Sequence, residues 1–241
     1  MSLDALRRAL PWPVAAGLCL CLSACAKAAT PPSVCYGTLA QGRLEGGVAL
    51  PASGANFEAY SQLGVALDRN YVHAKVRDVV VDAYAIAAQQ APETRYVYGE
   101  TGWPQGGRFR PHKSHQNGLS VDFFVPVRRD GKPVQLPTGP LTKFGYAIEF
   151  DAMGHYGDDS IDFDAMAIHL LALHQAADRQ GIRISRVIFD NQLQTLLFAD
   201  GRGAALKSAL TFSTKKPWVR HDEHYHVDFD VPCLPYGKPL P

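Results

Sequence analysis

Trp218-Val219-Arg220-His221-Asp222-Glu223-His224-Tyr225-His226-Val227-Asp228-Phe229 reads as a terminal β-strand that carries three of the chain's nine histidines. Side chains two apart on an extended strand share a face, so His224 and His226 project together and Asp228 lies on the same side. Two imidazoles can then reach one site. A second polar cluster, His112-Lys113-Ser114-His115, sits about a hundred residues earlier, with Asp122 seven positions after His115. Leu119 to Val127 alternates as a strand, with Leu119, Val121, Phe123 and Val125 on one face and Ser120, Asp122 and Phe124 on the other. If this strand runs beside the terminal one, His115, Asp122 and one imidazole of the His-x-His pair converge.

Two nitrogens and a carboxylate oxygen are donors suited to zinc, and three protein ligands with a fourth position for water mark a catalytic rather than a structural site. Zinc lowers the pKa of such a water towards about 7 and polarises a carbonyl, which suits amide hydrolysis. The reaction also needs a group that takes the water's proton and passes it to the leaving amine. Whichever of His224 and His226 is not a ligand is placed to do so. A lone His-x-His is a weak signal, and most such pairs serve packing or the surface. The two clusters gain weight from occurring together, polar and glycine-flanked, on otherwise hydrophobic strands.

Around the clusters, His73 to Gln90 has Val76, Val79, Val80, Ala83 and Ala87 at helical spacing and stops before Ala91-Pro92. Thr94 to Tyr98 reads as a strand, Gly99 to Phe109 as a glycine-rich loop, and residues 141–161 as a loop-rich stretch. Phe163 to Arg179 is a second helix, Ile182 to Phe189 a strand and Asn191 to Phe198 a further helix. His169 and His174 lie on the second helix without carboxylates at ligand spacing and receive no role. Asp151 and His155 leave an accessory metal or substrate site open.

The chain has 241 residues, 46% of them hydrophobic and 20% charged, enough for one sizeable core. Beyond residue 25 acidic and basic side chains are equal in number. No basic stripe suggests a nucleic-acid partner. Nothing in the sequence indicates oligomeric state.

Residues 1–25 read as a signal peptide, with Arg7 and Arg8 ahead of the short apolar run Val14 to Leu22. Leu22-Ser23-Ala24-Cys25 resembles a bacterial lipobox, which makes Cys25 the lipidated N-terminus of a periplasmic lipoprotein. Ala26 after that cysteine directs such a protein to the outer membrane. The alternative, cleavage after Ala26-Lys27-Ala28, releases a soluble periplasmic protein. Residues 26–34 read as a tether and 35–241 as a single domain. With Cys19 and Cys21 removed and Cys25 lipidated, Cys35 and Cys233 remain, an even pair expected to form a disulfide in an exported chain.

Ser114-His115-Gln116-Asn117-Gly118-Leu119-Ser120-Val121-Asp122, preceded by Gly106-Gly107-Arg108-Phe109 and followed by the His221-x-x-His224-x-His226-Val227 block, resembles the penicillin-insensitive murein endopeptidases of the LAS group of zinc metallopeptidases. The likeness spans about Gly37 to Pro235. It implies an α+β fold with a small central antiparallel sheet flanked by helices. It also implies His115, Asp122 and His226 as zinc ligands, His224 as the acid/base or transition-state-stabilising residue, and His221 as a hydrogen-bond donor to the tetrahedral oxyanion. His112 is implied either in the substrate cleft or as an extra ligand.

Two features depart from the family pattern. Asp228 and Phe229 stand where Arg-Leu is expected, and Asp228 is either an acceptor that orients an imidazole or a solvated strand-end carboxylate. Glu223 creates Glu223-x-x-His226, similar to the D-Ala-D-Ala carboxypeptidase branch, and is an alternative base. A residue three positions from a ligand on a regular strand faces the other way, which favours His224 unless a bulge intervenes. The expected activity is cleavage of amide bonds in peptidoglycan cross-links, such as D-Ala–meso-diaminopimelate. The alternatives are trimming of terminal D-Ala by the same metal site, or a cell-wall-binding lipoprotein without turnover.

Overall fold

The computed structural model describes residues 32–199, 201–217 and 219–237. The expected signal sequence, Cys25 and most of the expected tether lie outside these residues, as does Trp218. Five strands form the central sheet: β1 (Phe57–Ala59), β2 (Tyr96–Tyr98), β3 (Ser120–Phe124), β4 (Arg183–Ile188) and β5 (His224–Asp230). Their spatial order is β4-β5-β3-β2-β1. Every pair is antiparallel except β1 with β2. The class is α+β.

Alternation on β3 and β5 sorts the chain into two chemistries. Tyr225 stands opposite Phe123, and Val227 opposite Val121, on the face that packs against helices. The Tyr225 and Phe123 rings stack with centroids 5.5 Å apart. His224, His226 and Asp228 stand opposite Phe124, Asp122 and Ser120 on the other face.

Two 17-residue helices, α1 (Ala74–Gln90) and α2 (Phe163–Arg179), pack on each other beneath the sheet. Helix α1 begins where the His73 ring accepts a hydrogen bond from Lys75 N, and it buries Val76, Val79, Val80, Ala83, Tyr84 and Ala87 along one stripe. Asp162 caps α2 through Ala165 N at 3.0 Å. Here His169, assigned no role from sequence, is a core residue: its Nδ1 is 2.6 Å from the Tyr225 hydroxyl, and its ring stacks on Tyr84 and Tyr96. Burial pushes its pKa down to about 3, so it is neutral, with Nδ1 accepting the tyrosine proton.

The two histidine-bearing strands are shorter than the sequence predicts. β5 starts at His224 rather than Trp218, because His221 and Asp222 are tied to other segments instead of the ladder. Asp222 accepts from Phe150 N at 2.6 Å, and His221 O accepts from Asp190 N at 2.7 Å. β3 stops at Phe124, and the chain resumes as a separate strand at Val127–Arg129 after Pro126, which has no N–H to give a ladder. A register shift between Ile184 and Arg186 bulges β4 and sets Arg186 opposite Asp228.

The described residues form one compact unit. Among the described residues no helix is long and apolar enough to cross a membrane. Val34, placed in the tether from sequence, opens a short strand, Val34–Gly37, paired with Gly42–Glu45. Cys35 on that strand is bonded to Cys233, 198 residues away. The bridge joins both ends of the folded unit. Replacing both cysteines by serine is expected to lower the unfolding free energy by about 2–5 kcal/mol, the chain-entropy model placing so long a loop near the upper figure. Urea unfolding of the variant, and of the reduced wild type, measures it, and both should shift alike.

Candidate active site

His226 on β5 lies directly across from Asp122 on β3, and its Nδ1 is 2.8 Å from Asp122 Oδ1. The same oxygen is 3.4 Å from His115 Nε2. His115 reaches it from the loop before β3, with its backbone at φ 67°, a left-handed conformation rarely held by a non-glycine residue. Its Nδ1–H donates to Thr101 O at 2.9 Å, which leaves Nε2 as a bare lone pair. That Nε2 is buried without a hydrogen-bond partner among the described residues. Burial also pushes the His115 pKa down, so the ring stays neutral and ready to ligate.

The outer oxygen of Asp122 accepts from Tyr146 Oη at 3.1 Å and lies 3.9 Å from both His112 Nδ1 and His224 Nε2. Asp122 is fully buried, and its contacts among the described residues are imidazoles and a phenol, with no lysine or arginine. A buried carboxylate is costly unless positive charge lies beside it. A metal ion held at this point would supply that charge. His112, His115 and Asp122 offer ligand atoms within 4.8 Å of one another, and His226 Nδ1 joins them through Asp122. The donor set fits a divalent cation.

Asp228 is fully buried, which excludes the solvated strand-end alternative. Its Oδ1 accepts from His226 Nε2–H at 2.7 Å and from Ser120 Oγ at 2.7 Å, while Arg186 Nε reaches Oδ2 at 2.9 Å. Burial opposes a charged His226 ring, but Asp228 and Asp122 outweigh it and push the pKa up to about 10. The proton on Nδ1 stands where a metal ion would bind in exchange for it.

Glu223 precedes the strand, so alternation does not turn it away. Its Oε1 accepts from His224 Nδ1–H at 2.9 Å, inside the site. Burial disfavours protonated His224, but the Glu223 and Asp122 carboxylates outweigh it and raise its pKa. His221 donates Nδ1–H to Val219 O at 2.8 Å, and burial beside His224 pushes its pKa down to about 3. Neutral His221 therefore presents an acceptor at Nε2.

Sequence reasoning missed Glu100 and Tyr146. Glu100 accepts from Arg69, from Tyr60 Oη at 2.7 Å and from His112 Nε2 at 2.7 Å. Burial alone would raise its pKa, but His112 and Arg69 hold it down at about 2. Tyr146 Oη accepts from Glu100 N at 2.9 Å while donating to Asp122. Gly99 makes this possible, since a Cβ there would lie 2.5 Å from Tyr146 Oη. Only the glycine before Glu100 hinted at close packing. Asp151 and His155, by contrast, sit on an exposed turn that the Asp151 carboxylate closes by accepting from Met153 N and His155 N.

These groups open into a cleft of about 620 Å³, lined by His112, Tyr146, His221, Glu223, His224 and His226 among others. The model of the penicillin-insensitive murein endopeptidase family matches residues 35–235, which contain the whole cleft. The chain belongs to that family. No curated protein matches it significantly. As a murein endopeptidase family member it is a peptidase, and its substrate class is peptidoglycan.

Within this endopeptidase, Asp228 fixes the His226 ring so that Nδ1 faces Asp122. Asp228→Asn keeps an acceptor for Nε2–H but removes the charge, and is expected to weaken divalent-metal affinity about 10- to 100-fold. Competition against a chromophoric chelator measures the loss, and circular dichroism should show an unchanged fold.

Proposed function

We propose that the chain is a zinc-dependent peptidoglycan endopeptidase that hydrolyses amide bonds in peptide cross-links, such as D-Ala–meso-diaminopimelate. The observation that carries the zinc is the convergence of the orphaned His115 Nε2, Asp122 Oδ1 and His226 Nδ1 at one buried point. In this reading His115, Asp122 and His226 hold the ion. When bound, zinc supplies a Lewis acid that polarises the scissile carbonyl and makes water acidic enough to attack at neutral pH.

The remaining steps belong to side chains. Glu223 holds the His224 ring by its Nδ1–H, leaving Nε2 towards the reacting atoms. His224 Nε2 takes the proton from water and returns it to the leaving amine. Glu223 acts through His224, which makes it a positioning residue rather than the base. His221 Nε2 accepts from a substrate N–H, and His112, held by Glu100, lines the cleft beside Asp122. The disulfide supports an oxidising compartment, and in this reading the protein is periplasmic and anchored to the outer membrane through Cys25.

His226→Ala and Asp122→Ala are expected to abolish release of monomers from purified cross-linked muropeptides, as is a chelator with the wild type, with restoration by added zinc. His224→Ala should lower kcat by about 10²- to 10⁴-fold with zinc content intact. Glu223→Gln should cost less than His224→Ala. The reverse order makes Glu223 the base, loss of terminal D-Ala alone indicates a carboxypeptidase, and zinc binding without any hydrolysis leaves a cell-wall-binding protein.

A further inference from the structure

The walls of the cleft are charged in one sense. Lys143, Lys215 and Lys216 line its rim and are exposed. Past His112 the cleft runs into a second hollow of about 580 Å³, sharing Ala40, Pro111, His112 and Lys113 with the first and lined further by the exposed Arg108 and Arg110. Among the described residues lining the two hollows, the carboxylates are Glu100 and Glu223, both buried and both engaged within the site. None of the five exposed cations is in an ion pair with a described residue. For a chain whose formal charge is only +1, this is a marked segregation.

The sheet places these cations on two sides of the reacting groups. Ser213, just before Lys215 and Lys216, bonds through its N–H to Val187 O on the edge strand β4. Arg110, by its carbonyl, accepts from Arg69, the partner of Glu100 beyond β2. The β5 and β3 strands bearing His226 and Asp122 lie between. A ligand that fills both hollows therefore passes over the candidate metal ligands, with cations before and after them.

Resting on the endopeptidase reading, we infer that Lys215 and Lys216 on one side and Arg108 and Arg110 on the other are carboxylate subsites flanking the scissile bond, reading one peptide stem each of a cross-linked dimer. Both stems of such a dimer carry free carboxylates, at the γ-linked glutamate and at the diamino acid. Exposed cations contribute modestly to each such contact, and mostly to capture of the substrate. A carboxypeptidase, which needs only a terminal residue beyond the cut, has no use for the second cationic hollow.

The test is steady-state cleavage of a cross-linked muropeptide dimer and of the same dimer with its free side carboxylates amidated, using Lys215→Gln/Lys216→Gln, Arg108→Gln/Arg110→Gln and Lys215→Arg/Lys216→Arg. Each glutamine pair is expected to lower kcat/KM about 3- to 10-fold on the carboxylate dimer, chiefly through KM, with zinc content unchanged. The amidated dimer should be cleaved poorly by the wild type and be insensitive to either pair, and the lysine-to-arginine pair should restore wild-type behaviour. Equal losses on both dimers, or no loss on either, overturn the subsites while leaving the endopeptidase standing. A wild type that cleaves neither dimer overturns the endopeptidase reading and this inference with it.

Discussion

The register between β3 and β5 sets His226 opposite Asp122, and most of the molecule is arranged around keeping that pair together. A slip of one residue would turn Tyr225 and Phe123 into the cleft and bury the histidines against the helices. The aromatic face prevents this. Tyr225 stacks on Phe123 and bonds to His169, which is itself clasped between Tyr84 and Tyr96. A core that looks remote from the chemistry is thus what fixes the side on which the imidazoles emerge.

Placing charge in so enclosed a site demands compensation, and each buried carboxylate is answered differently. Glu100 is answered by Arg69 and His112, and Asp228 by Arg186 and His226. Glu223 is answered by the His224 ring. Asp122 is answered by the His226 ring, at the point where a metal ion would take the place of the ring's proton. The surrounding polar groups then act as a frame: Thr101 fixes the tautomer of His115, Asp228 that of His226 and Glu223 that of His224.

Tyr146 and Glu100 tie this frame to the far wall of the cleft. Tyr146 comes from the loop after the short helical turn Pro140–Thr142, and Asp222 holds the end of that loop by accepting from Phe150 N. Asp222 and Glu223 are therefore neighbours with unlike tasks. The first secures the wall, and the second orients an imidazole.

The sequence by itself determined the alternation of β3 and β5, the two long helices, the pairing of Cys35 with Cys233 and the set of histidines and carboxylates from which the site is made. Those features depend on neighbours a few positions apart, on residue chemistry, or on elimination among few cysteines. Tertiary structure alone decided that β5 begins at His224, that Glu223 faces inward, that Asp228 is buried on His226, and that Glu100 and Tyr146 belong to the site. Glu100 and Asp122 are 22 positions apart and Tyr146 a further 24, with no periodicity linking them. Their contacts come from the packing of a loop over a sheet, and a burial of that kind leaves no local pattern in the chain.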